Sequence, residues 1–129
     1  MIYVALTGIA RRVIKELLAA RVRTIEIRSP NNFVTLLNVK PGDKIFQTEA
    51  SAPDILLGTN GLIASVMGIQ TITHRVIQSN EDYYEEREAR AARVQLQLAG
   101  VGRVRRVTFF EVGESLELEV DQVKHCDAG

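Results

Sequence analysis

The spacing of apolar and polar positions changes period several times along the chain. "MIYVALT", residues 1–7, is a β-branched and aromatic run that predicts a first strand. In "GIARRVIKELLAA", Ile9, Val13, Ile14, Leu17 and Leu18 recur at helical spacing. Arg11, Arg12, Lys15 and Glu16 fill the opposite side, and Thr7 stands where a cap belongs. "VRTIEIRS" alternates with period two. Val22, Thr24, Glu26 and Arg28 therefore share one face of a strand, and Arg23, Ile25 and Ile27 the other.

After the turn cluster "SPNN", "FVTLLNV" reads as a short strand closed by the turn "KPGD", where Asp43 can bond its own backbone. "KIFQTEAS" is the next strand, and "APDILLGTNG" a connection with turn signals at Gly58 and Asn60-Gly61. "LIASVMGIQTITHRVI" is long and β-rich, with Gly68 as a bend or bulge. "SNEDYYEEREARAARVQLQLAG" reads as a second helix. Ser79 or Asn80 caps it, acids crowd its first turns, Gly100 stops it, and Tyr84, Arg87, Ala91, Val94 and Leu98 trace one side. The chain closes in a hairpin, "RVRRVTFFEV" and "SLELEVDQV", turning at Gly113-Glu114. Leu116, Leu118 and Val120 face the core there, and Glu117, Glu119 and Asp121 face water. The expected class is α+β: a small, mostly antiparallel open β-barrel flanked by two helices. It forms a single domain over residues 1–124, with 125–129 as a frayed tail.

Charge refines this picture through its distribution. Sixteen basic and sixteen acidic residues cancel, so the total says nothing about partners. Residues 1–30 nevertheless carry a basic excess, and residues 111–121 are acidic without a base, which predicts a basic face and an acidic edge. The lone cysteine, Cys126, excludes an internal disulfide and a zinc cluster. With no long apolar run and no signal-peptide pattern, the expected compartment is the cytoplasm, without membrane contact.

Few residues offer chemistry. His74 has no ligand partner at metal spacing, so a structural or surface role is the simpler reading. "GTNG" lacks the lysine of a phosphate loop and leads into a strand, so it reads as a tight connection. "RVRR", residues 103–106, lacks interleaved aromatics and reads as a solvated strand. No metal or cofactor is implied. The polar face of "VRTIEIRS" is the exception. Its plain reading is a solvated sheet face with a weak ion pair. Its functional reading is a cleft floor, with a carboxylate that reads base donors and a guanidinium that grips phosphate.

These residues carry a resemblance. Thr24, Glu26 and Arg28, then Gly42, Asp43 and Ile45, then Gly61 and Ile63-Ala64-Ser65-Val66 are similar in kind and order to the motifs of ASCH domains, within the PUA-like superfamily. The likeness covers residues 4 to 72, and the chain also resembles an archaeal family of unassigned function. Two positions depart from the motif: its glycine falls at Arg21 and its lysine at Arg23.

The resemblance implies a PUA-like barrel that binds RNA or a modified nucleoside in a cleft beside the first helix. Arg23, Thr24, Glu26 and Arg28 would bind the ligand, and Arg11, Arg12, Lys15 and Arg75 would offer phosphate contacts. Some ASCH-like proteins are similar to amidohydrolases that use the motif lysine. An arginine, unlike a lysine, does not give up its proton to act as a base near neutrality. Arg23 therefore weighs toward binding and against an acylated-base hydrolase. A homodimeric interaction domain, using the acidic hairpin or the Tyr83-Tyr84 segment, is the third reading.

Overall fold

The computed structural model describes residues 1–109 and 116–126. Among them the order is β1 (Ile2–Leu6), α1 (Arg11–Ala20), β2 (Val22–Ile27), α2 (Pro30–Leu37), β3 (Lys44–Gln47), a 3-10 turn (Ala52–Asp54), β4 (Asn60–Asn80), β5 (Tyr83–Phe109) and β6 (Glu117–His125). The protein is α+β, mostly sheet with two helices among the described residues. The strands pair in the order β2-β5-β4-β3-β1-β6, and β5 pairs again with β6. Five strands thus form a continuous ring of ladders. Among the described residues only β1 and β3 run parallel; the other pairs are antiparallel.

β5 makes this arrangement possible because it is long enough to serve two neighbours along one edge. Ala92–Gln97 pair with β2, whereas Gly100–Phe109 pair with β6. Among the described residues β2 is therefore an outer strand, bonded to β5 on one side only. Two apolar clusters follow. One joins Leu17 of α1 and Leu36 of α2 to Ile25, Ile27, Val94 and Leu96, which fixes both helices on the sheet. The other draws Tyr3, Phe46, Ile63, Val104 and Leu118 from all five ring strands. Each large side chain buried this way contributes about 1.5–3 kcal/mol.

Two segments fold against their local preference. Residues 79–100, expected as a helix, lie in the β4–β5 hairpin. The helix-forming Glu, Ala and Arg content of that segment is a weak prior. Ala92, Val94, Leu96 and Leu98 are buried while Arg93 and Gln95 are exposed, and this period of two on a strand paired along both edges decides the outcome. The second helix is instead "PNNFVTLL", whose first three residues were expected in a turn and the rest in a short strand. Pro30 occupies its first turn, and Asn32, Thr35 and Leu36 are buried at helical spacing. Thr7 does not cap α1, whose N-cap is Ala10. His125, read as tail, ends β6 opposite Gly100, and Cys126 packs against the helix-bearing cluster.

Other expectations hold. β2 carries the expected parity, with Ile25 and Ile27 buried and Thr24 exposed. The ladder slips between Val66 and Gly68, which places the extra residue at Met67, directly before the glycine. Asp43 accepts the Lys40 N–H at 2.9 Å within its turn. Gly61 lies so close to the Gln47 backbone oxygen and the Phe46 ring that a Cβ would collide with both. Leu116, Leu118 and Val120 are buried as expected. The Gly113-Glu114 turn and residues 127–129 lie outside the described residues.

Arg21, in the place of the motif glycine, has φ 66 and ends α1 in the left-handed conformation, its N–H bonded to Leu17 O. That conformation disfavours any residue with a Cβ. Arg21→Gly should therefore raise stability by about 0.5–1 kcal/mol, read as a higher denaturation midpoint at unchanged m-value.

Candidate functional site

The chain leaves β1 and makes a left-handed step at Gly8, φ 63, before α1 begins. It leaves β2 at Arg28-Ser29 and starts α2 at Pro30. The two helix starts are tied together by one side chain. Asn32 donates from Nδ2 to Thr7 O at 2.8 Å and accepts the Thr7 N–H at Oδ1 at 2.9 Å. Its amide thus completes the backbone of the β1–α1 connection in the manner of a strand partner, and the residue is almost fully buried. Sequence reasoning missed Asn32. "SPNN" read as a turn, although Ser-Pro before a helical pattern is also a helix start.

Between these starts and the outer edge of β2 lies a concavity of about 240 Å³. Ile9, Val13, Ile25 and Ile27 give it apolar walls; Gly8, Ser29, Asn32, Glu26 and Arg28 supply its polar border. Neither helix start is capped by a side chain, and neither carries an acid in its first turn. Backbone N–H groups and the positive dipole ends thus stay available to an anion. β2 pairs on one side only, so alternate residues present backbone N–H and C=O groups on the other side, toward the concavity.

The residues expected at the site separate here. Glu26 and Arg28 border the concavity and are joined at 3.0 Å; the arginine is exposed. Glu26 also stands opposite Arg93 in the β2–β5 ladder. Thr24 lies on the open sheet face opposite Gln95 and does not line the concavity. Arg23 turns to Glu16 of α1 at 2.6 Å and does not line it either. Arg11 meets Glu49 at 3.5 Å, Arg12 meets Glu16 at 3.8 Å, and Lys15 is exposed on the outer side of α1. Arg75 lies in the part of β4 beyond β2 and is bound to Glu86 at 2.6 Å. The side chain of His74 lies outside the described part of the structure.

The expected separation of basic face and acidic edge is reduced by pairing. The "RVRR" stretch runs beside the acids of β6, with Arg106 at 2.7 Å from Glu119 and Arg105 at 3.9 Å from Asp121. The antiparallel ladder brings together charges that the sequence keeps apart. "GTNG" is a tight connection: Gly58 N–H bonds Val104 O, and Thr59 Oγ1 accepts the Leu56 N–H.

Fold and concavity together define an α+β protein with a small, mostly apolar recess at the free edge of an outer strand. Residues 1–118 match the family described as protein of unknown function DUF473, and the chain belongs to that family. It is also similar to Uncharacterized protein MJ0105 of Methanocaldococcus jannaschii, at 29% identity over 98 residues. That alignment covers 76% of this chain and 61% of the relative, so the chain spans less than two thirds of the relative's length. No solved structure is a significant match. Among the described residues, no helix is long and apolar enough to cross a membrane.

Proposed function

We propose that the protein is a PUA-like cytoplasmic binding domain that holds a nucleoside or one nucleotide of RNA in the recess between β2 and the two helix starts. The observation that carries this reading is the meeting, in one recess, of a free strand edge, two uncapped helix starts and Arg28. Aliphatic walls suit the faces of a planar base. Backbone donors and acceptors on the edge of β2 suit its hydrogen-bonding rim. The helix starts and the Arg28 guanidinium suit a phosphate. A volume of about 240 Å³ limits the occupant to one such unit. The ring of paired strands with an added outer strand also supports the PUA-like assignment.

A hydrolase reading draws no support from the recess. Arg23 stands where the ASCH motif it resembles has a lysine, and it is engaged by Glu16 outside the recess. Calorimetric titration with nucleoside 5′-monophosphates and short single-stranded RNA at low salt tests the proposal. Saturable binding that weakens as salt rises is expected. No heat with either probe at millimolar concentration would remove it.

A further inference from the structure

The β4–β5 hairpin runs past its neighbours. β2 covers β5 only as far as Ala92, and β3 covers β4 only between Leu62 and Ser65. From Thr73↔Arg90 to Asn80↔Tyr83 the hairpin is a two-stranded ribbon of eight residue pairs, with no third strand among the described residues. At the usual rise per residue this arm extends roughly 25 Å. A two-stranded ribbon is marginally stable alone, and its open edges invite pairing. The arm nevertheless carries Ile77 and Tyr84, 56% and 65% exposed, together with the exposed Tyr83. Its end is acidic: Glu81, Asp82, Glu85 and Glu86 occur between residues 79 and 86 without a base in that stretch, and of these Glu86 is paired with Arg75 of the same ribbon.

The root of the same arm has the opposite character. A groove of about 530 Å³ lies between α2 and the arm, lined by Pro30, Phe33, Val34, Leu37 and Ala89 and bordered by Arg28 and Arg90. Leu37 is 58% exposed. The arm leads away from this groove, so its own end does not fill it. A second copy turned through a two-fold axis would lay its arm antiparallel to the first. Each acidic, tyrosine-bearing end would then lie in the partner's apolar, arginine-bordered groove.

We infer that the protein forms a homodimer by reciprocal exchange of the residue 73–90 arms, with Tyr83 and Tyr84 of each copy seated against α2 of the other. Such an interface is isologous and closes after two copies. It buries aromatic side chains of the kind that dominate binding energy.

Sedimentation equilibrium of the full chain, from about 1 to 100 µM, tests this. The expected result is a dimer whose dissociation constant rises with salt. Tyr84→Ser and Leu37→Glu alter the two ends of the contact at exposed positions. Each should weaken the dimer by at least about tenfold, with a circular dichroism spectrum like that of the wild type. A wild-type chain that stays monomeric overturns the proposal and leaves the groove to a different partner. A dimer indifferent to Tyr84→Ser overturns it as well, and that variant remains decisive if Leu37→Glu fails to fold.

Discussion

Asn32→Asp should lower stability by about 2–4 kcal/mol, the combined effect of an unpaired buried carbonyl and a desolvated carboxylate. The native amide answers a donor and an acceptor of the same residue: its oxygen takes the Thr7 N–H and its nitrogen gives to Thr7 O. Aspartate keeps the first bond and replaces the second by two oxygens facing one another. The site is buried, so water does little to relieve that contact. Chemical denaturation is the measurement. A lower midpoint with an unchanged m-value is expected. A loss below about 0.5 kcal/mol, the size of a neutral surface change, would mean that Asn32 does not hold the helix starts together.

Arg28→Ala should weaken nucleotide binding by about 1–3 kcal/mol, the range for losing a charge-assisted hydrogen bond in a partly desolvated site. Stability should change by less than about 1 kcal/mol, because its ion pair with Glu26 is exposed. If the guanidinium meets a phosphate, the salt dependence of binding should fall by about one counterion. Glu26→Gln should act through Arg28, by releasing the guanidinium from its 3.0 Å contact, and should have the smaller effect. Parallel titrations of both variants with nucleoside 5′-monophosphates read these differences. Equal affinities for Arg28→Ala and wild type would place the phosphate elsewhere.

Much of the sheet was legible from alternation. β2 and the buried Leu116, Leu118 and Val120 follow from period-two patterns, β1 from its β-branched and aromatic content, and the irregularity beside Gly68 from the glycine. The part of β5 up to Gly100 was not, because Glu, Arg and Ala are good helix formers and plausible helix hides the run Arg93-Val94-Gln95-Leu96-Gln97-Leu98, whereas residues 103–109 were expected as a strand and are one. What makes that segment a strand is non-local: β4 along one edge, with β2 and β6 sharing the other. α2 failed for the converse reason, its β-branched Val34 and Thr35 outweighing the Ser29-Pro30 start.

At the site, parity correctly separated Thr24 and Glu26 from Ile25 and Ile27, but parity says nothing about which part of a strand borders a recess. Arg23 and Thr24 fell outside it for that reason, while Glu26 and Arg28 border it near the start of α2. Asn32 and the uncapped helix starts carry no motif of their own. They became visible only once the chain had folded β1 and α2 together.

The most direct test of the recess is an amide NMR titration of the full chain with a nucleoside 5′-monophosphate. The account predicts saturable shifts confined to residues 8–13 and 25–32, with the largest at the first-turn amides of α1 and α2 and at Arg28. Shifts centred on the open face around Thr24 and Gln95, or none at millimolar ligand, would contradict it.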